Sequence, residues 1–308
     1  VTYRDEMNNI QQLRNDRSAR TDDAVNEPIN VDAVMNHPRR VRILRAALDR
    51  VHDGIAPVLD LSQPYLSGLG QVPADGRFLL VGNHTASGSE VLLITHFVRR
   101  AIGTWVRPLA DRRFAATRGV GDLIAAYGGV VGAPETAREL MRHNETILVF
   151  PGGGREAAKF KGEEYTLNWN GRSGFARVAV ENDYPIVPVG LVGGDDVYKS
   201  LVTRDSVLGR LSQTIGTKLS GNANMTMPLM RGIGPTLIPR PQRMYLRFGE
   251  PLDTTKPNRV STEDWVATVR KHTQQSLETI LTDLLAVRAD DPFRKLNPLA
   301  WTSAVKAG

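Results

Sequence analysis

Two stretches of this chain set reactive side chains among small ones. The first is Gly82-Asn83-His84-Thr85-Ala86-Ser87-Gly88-Ser89-Glu90, which follows the apolar run Phe78-Leu79-Leu80-Val81 and leads into a helical stretch from Val91 to Arg100. A histidine where a strand gives way to a helix is placed to act as a general base. The carboxylate of Glu90, six residues on, can curl back to hold the opposite ring nitrogen. The second stretch is Val149-Phe150-Pro151-Gly152-Gly153-Gly154-Arg155-Glu156. Three glycines expose backbone N–H groups, Arg155 can grip an anion with two donors, and Lys159 and Lys161 add positive charge. The loop lacks the GK[ST] ending of a P-loop and the G-x-G-x-x-G spacing of a dinucleotide site. Read alone, His84 is equally a hydrogen-bonded loop histidine, and the glycine loop is equally a flexible turn.

These stretches need a scaffold. The chain has 308 residues, 41% apolar and 23% charged, which suits one large domain with its own core. The absence of cysteine excludes disulfides, Cys-ligated zinc, iron–sulfur clusters and thiol catalysis. The six histidines are scattered without paired spacing, so no metal site is expected. No apolar run approaches the roughly 18–20 residues of a spanning helix, and no signal peptide is visible. The formal charge of +6 suits anionic substrates, an anionic membrane or nucleic acid.

Residues 1–36 are polar and aperiodic, and are expected to form a flexible arm. Residues 37–70 form an N-terminal amphipathic helical segment. Val41, Ile43, Leu44, Ala47, Leu48 and Val51 make its stripe, flanked by Arg39, Arg40, Arg42, Arg45 and Arg50. Such a helix suits an anionic membrane surface and equally suits packing on its own domain. Over residues 71–290, strands near 78–81, 104–106, 146–150, 186–192 and 244–248 alternate with helices. This predicts an α/β fold, with a central, largely parallel sheet flanked by helices and functional loops at the strand ends. Residues 200–242 read as an irregular excursion. A long helix starts near Ser261, with Asp264 completing a capping box and His272 in a structural role. Residues 291–308 read as a loose C-terminal tail.

Four ordered motifs then carry a resemblance. Asn83-His84, Phe150-Pro151-x-Gly153-x-Arg155, Pro185-Ile186-Val187-Pro188-Val189 and Arg247-Phe248-Gly249-Glu250-Pro251-Leu252 resemble the glycerolipid acyltransferases related to lysophosphatidate acyltransferase. That family carries N-H-x(4)-D and F-P-E-G-T-R. Here the strict acid position holds Ser89, with Glu90 one residue later, and Gly152 and Gly154 replace the family's Glu and Thr. The segment 151–157, with Tyr165, Trp169 and Gly171-Arg172-x-Gly174-Phe175-Ala176, is more similar to the monoacylglycerol/diacylglycerol acyltransferase-like and phytyl ester synthase branch, which also sets the acid one residue later.

The resemblance implies that residues 71–290 are an acyltransferase domain. It makes His84 the general base and Glu90 its partner, with Glu156 assisting. Asn83, Gly152, Gly153, Gly154, Arg155, Glu156 and Arg172 would surround the substrates, with backbone N–H groups of the glycine turn near the oxyanion. It implies acyl-CoA, or acyl carrier protein, as co-substrate without a further cofactor. The acceptor would be lysophosphatidate, monoacylglycerol or diacylglycerol, and the protein cytoplasmic and peripheral at the membrane. Val91-Leu92-Leu93-Ile94 fits either core or the wall of an acyl groove. Three rivals stand beside it. A hydrolase using Ser87 or Ser89 lacks G-x-S-x-G and has a cramped geometry. A non-catalytic lipid-binding protein would keep the fold alone. A nucleic-acid binder rests on charge without any recognised module.

Overall fold

The computed structural model describes Asn36 and residues 38–307, apart from 113, 114, 116–118 and 221–227. The arm expected over residues 1–36 therefore lies outside the described residues but for Asn36. In chain order the strands are β1 (Tyr65–Ser67), β2 (Leu79–Gly82), β3 (Val106–Ala110), β4 (Val130–Val131), β5 (Thr146–Val149), β6 (Ile186–Val192), β7 (Lys199–Ser200), β8 (Met230–Arg231) and β9 (Tyr245–Phe248). The described helices that concern the site and its frame are α1 (Arg39–Leu61), α2 (Ser89–Ile102), α3 (Val120–Ala126), α4 (Pro134–Arg142), α5 (Gly154–Ala157), α6 (Gly174–Glu181), α7 (Gly194–Val197), α8 (Val207–Ser220) and α9 (Thr262–Ala289).

Seven strands form one sheet in the order β1-β9-β6-β2-β5-β3-β4. The five from β6 to β4 are parallel to one another, while β9 runs antiparallel to β6 and β1 parallel to β9. The centre of the sheet is apolar on both faces, as a covered parallel sheet requires. Leu79 and Val81 point into one cluster with Ile147, Phe175, Tyr184 and Leu277; Phe78 and Leu80 point into the other with Phe97, Leu148 and Leu246. Alternate residues of one strand thus serve opposite faces. Because β2, β5 and β6 share a direction, the loops that leave them emerge at one end of the sheet, and both reactive stretches lie there.

The expected α/β sheet is present, with differences at its margins. The strand expected at 104–106 starts at Val106 and runs to Ala110. Trp105 instead lies beneath the guanidinium groups of Arg45 and Arg99, at 5.3 and 4.0 Å from its ring centre. The boundary expected at residue 71 falls inside the domain, because β1 already belongs to the sheet. The helix expected near Ser261 has Ser261 as its N-cap, accepting from the Asp264 N–H at 3.1 Å, while His272 is exposed.

The N-terminal amphipathic helix packs on its own domain. In α1, Val41 is buried, Arg45 donates to the Ala125 and Ala126 carbonyls at 3.3 and 3.2 Å, and Arg40 pairs with Asp122 at 3.1 Å. The excursion over 200–242 is less irregular than expected, since it contains α8 and the two-stranded ladder of β7 and β8. The C-terminal tail is not loose. Asp291 is fully buried, takes Arg243 at 2.5 Å and the Tyr245 hydroxyl on one oxygen, and accepts the Phe293 and Val305 N–H groups on the other. Arg243, just before β9, and Tyr245, on it, lie more than forty residues earlier in the chain, so nothing in the local sequence points to them.

Candidate active site

The first reactive stretch is held from four sides. Asn83 is buried, and its amide bridges to β6, donating to the Leu191 carbonyl at 2.9 Å and accepting the Leu191 N–H at 2.8 Å. Its amide is thus engaged by the scaffold and lies beneath the loop. The His84 N–H donates to Glu156 Oε1 at 2.9 Å. The His84 carbonyl accepts from Lys159 Nζ at 3.1 Å. The imidazole stacks on Phe150, with ring centres 4.5 Å apart and planes within 9°.

A further hold is the carboxylate. Glu90 Oε1 lies 2.5 Å from His84 Nδ1 and also accepts the Thr85 N–H at 3.2 Å, while Oε2 accepts the Thr85 hydroxyl at 2.6 Å. Glu90 sits in the first turn of α2, where the helix dipole favours negative charge. Burial pushes its carboxyl up, but the hydrogen bond and charge of His84 and the Thr85 hydroxyl outweigh burial, so it stands below the ordinary glutamate value. An ionised carboxylate on Nδ1 fixes the tautomer: the proton resides on Nδ1, and Nε2 is the basic nitrogen.

Glu156 holds His84 through the backbone N–H and makes no hydrogen bond to the imidazole. It is fully buried and accepts the His84 N–H on one oxygen and the Asn168 N–H, at 3.2 Å, on the other. Burial raises its carboxyl above the ordinary value, opposed by the charge of Lys159 and the two N–H donors. Gly152 makes room for it: a Cβ at residue 152 would stand 2.1 Å from Glu156 Oε2 and 2.4 Å from its Cβ. Gly153 has φ +57° and ψ −150°, a conformation essentially restricted to glycine. Its N–H donates to the Phe150 carbonyl at 2.9 Å and is therefore occupied. Arg172 donates to the Pro151 and Gly152 carbonyls, both at 3.1 Å, and locks the turn. Arg155 is half-buried, and its Nε has no hydrogen-bond partner in the structure.

A cavity of about 810 Å³ opens beside His84. It is lined by Val91, Leu109, Ile124, Tyr127, Ala137 and Phe175 among others, and by Gly153, Gly154 and Arg172 at the loop, but not by Arg155. Its volume is in the range of small-molecule sites, and its walls are mostly apolar. The helix after His84 divides its duties, with Val91 on the cavity and Leu93 and Ile94 in the core.

From the sequence, Lys159 adds positive charge beside the glycine loop. It is instead buried and paired with Asp195 at 2.8 Å. Asp195, in α7 just beyond β6, also accepts the Tyr165 N–H at 2.8 Å, and the Tyr165 hydroxyl donates to Asp196. Burial raises the Asp195 carboxyl despite Lys159. The available signal was position, since Asp195 follows a strand that ends where the His84 loop begins.

Residues 64–192 match the family model described as Acyltransferase. The chain is 29% identical over 257 residues to phytyl ester synthase 1 of Arabidopsis thaliana, covering 75% of this chain and 35% of the relative. It is 29% identical over 122 residues to a human DGAT1/2-independent enzyme synthesizing storage lipids, covering 40% of this chain and 37% of that one. The crystal structure of the 1-acyl-sn-glycerophosphate acyltransferase PlsC from Thermotoga maritima aligns with a TM-score of 0.44 at 17% identity, over 80% of this chain and 85% of that one. The matched residues 64–192, which hold His84, Glu90 and Glu156, are thus similar to the Acyltransferase family, and the longer match is to the phytyl ester synthases. It spans about a third of the length of the phytyl ester synthases it matches.

Proposed function

We propose that this chain transfers a fatty acyl group from an acyl thioester, acyl-CoA in the first instance, to a hydroxyl of a lipid acceptor. One observation carries the reading: a histidine whose Nδ1 is held by a fully buried carboxylate lines an apolar cavity large enough for an acyl chain. His84 Nε2 takes the proton of the acceptor hydroxyl as its oxygen attacks the thioester carbonyl. Glu90 stabilises the imidazolium so formed. The tetrahedral intermediate expels the thiolate, which recovers the proton from Nε2, and no covalent acyl-enzyme forms.

Arg155, on the glycine loop outside the cavity lining, is the cation suited to a phosphate of the donor or acceptor at the cavity's edge. The acceptor belongs to the glycerolipid type: lysophosphatidate, monoacylglycerol or diacylglycerol. A long-chain alcohol, as the name of the phytyl ester synthases suggests for those enzymes, is the further acceptor to try. The protein works at a membrane surface, where such acceptors reside, and among the described residues no helix is long and apolar enough to cross one. The test is incubation with a long-chain acyl-CoA and each acceptor separately, with His84→Ala as control. Product in one lane, lost in the variant, supports the reading. Folded protein that releases no coenzyme A in any lane removes it and leaves lipid binding without turnover.

A further inference from the structure

We infer that the excursion after β6 is a docking face for a bilayer surface carrying anionic lipid. Helix α8 is built with its apolar side outward. Val207, Leu208, Leu211 and Ile215 fall within about 100° of arc at 3.6 residues per turn. They are 83%, 61%, 52% and 50% exposed. The side turned toward the protein carries buried Gly209 and half-buried Gln213, whose amide donates to the Arg204 and Gly209 carbonyls at 2.9 and 3.3 Å. A surface helix of a soluble domain ordinarily does the reverse.

The ladder beside it behaves alike. The Leu201 N–H donates to the Leu229 carbonyl at 2.8 Å, and both side chains are exposed. The turn beyond β8 is closed by Gly232 N–H to the Thr236 carbonyl at 2.6 Å and Ile233 N–H to the Ile238 carbonyl at 2.8 Å, leaving Ile233, Leu237 and Ile238 in solvent. Among the described residues, nine of the fifteen exposed large apolar side chains lie between Leu201 and Ile238. Such concentration marks a surface that meets an apolar phase.

Charge selects the phase. Over residues 200–242 the described residues hold Arg210, Arg231 and Arg240, besides Arg204 that pairs with Glu163 at 2.6 Å, against one acid, Asp205, and Arg210 and Arg231 are exposed. Apolar side chains flanked by arginine match an acyl layer beneath anionic headgroups. A second copy docked face to face would set the same arginines against one another.

Position joins this face to the site. β6 delivers the excursion at the sheet end where the His84 and Gly152 loops emerge. Ser200 Oγ donates to the Lys159 carbonyl at 2.6 Å, and the Lys161 N–H to the Val202 carbonyl at 3.1 Å, tying it to the segment after α5. The inference rests on the acyl-transfer reading only for what the docked site takes from the membrane.

The experiment is co-sedimentation of the whole chain with phosphatidylcholine vesicles, with and without phosphatidylglycerol. Wild type is compared with Leu208→Asp/Leu211→Asp, Arg210→Glu/Arg231→Glu and His84→Ala. Wild type should bind the anionic vesicles more tightly than the neutral ones, and each pair should lose at least about tenfold in affinity. His84→Ala should bind as wild type. The two pairs should keep transfer from a short, water-soluble acyl donor to a detergent-dispersed acceptor while losing transfer to a vesicle-borne one. Wild type that stays in solution with both vesicles, or pairs that bind unchanged, overturns the inference. So does a wild-type dimer, made monomeric by the pairs, that binds no vesicle. Vesicle binding sensitive to both pairs, with no acyl transfer by wild type, leaves the docking face standing and removes the acyl-transfer reading instead.

Discussion

Glu90→Gln is the sharpest probe of the catalytic arrangement. The substitution is nearly isosteric at a fully buried position that accepts His84 Nδ1 at 2.5 Å, the Thr85 N–H at 3.2 Å and the Thr85 hydroxyl at 2.6 Å. A glutamine offers one oxygen where the carboxylate offers two. If that oxygen faces Nδ1, the Thr85 hydroxyl must turn to accept. If the NH₂ faces Nδ1, the imidazole must carry its proton on Nε2, and the base is lost. Even in the better arrangement the imidazolium formed at the transition state loses its counter-charge. Two unit charges about 4 Å apart at an effective dielectric of about 20 interact by about 4 kcal/mol. At about 1.4 kcal/mol per factor of ten, kcat should fall on the order of 10²–10³-fold with KM little changed.

The assay is initial-rate acyl transfer on Glu90→Gln, His84→Ala and the double variant. Because Glu90 acts through His84, the Gln substitution should cost under about threefold once His84 is gone, a strongly non-additive cycle. Glu90→Gln that stays folded and keeps a rate within about threefold of wild type would refute the reasoning. The same variant should alter acid sensitivity. The Glu90 carboxyl is lowered on folding, so its contribution is present above the unfolded glutamate pKa and is lost as pH falls through the folded value. Urea unfolding across the acid range should therefore show a shallower loss of stability in Glu90→Gln.

Three further outcomes are expected. Gly152→Ala places a Cβ 2.4 Å from that of Glu156, so Glu156 must move and release the His84 N–H; turnover should fall by about tenfold or more, with one buried N–H unsatisfied at about 1–3 kcal/mol, read by kinetics and urea unfolding. Lys159→Met leaves the Asp195 carboxylate buried without its cation, and should cost about 3–5 kcal/mol, most of it recovered in Lys159→Met/Asp195→Asn as read by chemical denaturation. Ala137→Phe fills part of the cavity from α4, and competition among acyl donors of different length should show preference moving to shorter chains while the rate on the shortest is kept.

Much of the site was legible because its chemistry is local in the chain. His84 and Glu90 lie six residues apart at a strand-to-helix junction, and a carboxylate in the first turn of α2 has little choice but to face the loop it left. The glycines of 152–154 announced a turn that other residues approach closely, and the apolar runs announced the strands. What stayed hidden depended on partners distant in sequence. Asn83 reads as a polar loop residue until β6 brings Leu191 alongside. Lys159 reads as surface charge until Asp195 arrives from the far side of the sheet end. Glu156 could have served ring or backbone, and only the fold of the Gly152 turn turned it to the backbone.

Residue types and spacing alone thus determined the α/β class and the pairing of His84 with Glu90, since each is written in short motifs and in periodicity. Tertiary structure decided which polar groups hold the scaffold and which face the cavity, because burial and hydrogen-bond partnership belong to pairs of segments. It also decided which face of each amphipathic helix meets solvent. α1 and α8 carry comparable apolar stripes. One anchors to its own domain through Val41 and Arg45, whereas the other has Gly209 and Gln213 packed beneath it and its leucines outside. Periodicity marks that a helix has an apolar side, and only the packing of the remaining chain determines what that side touches.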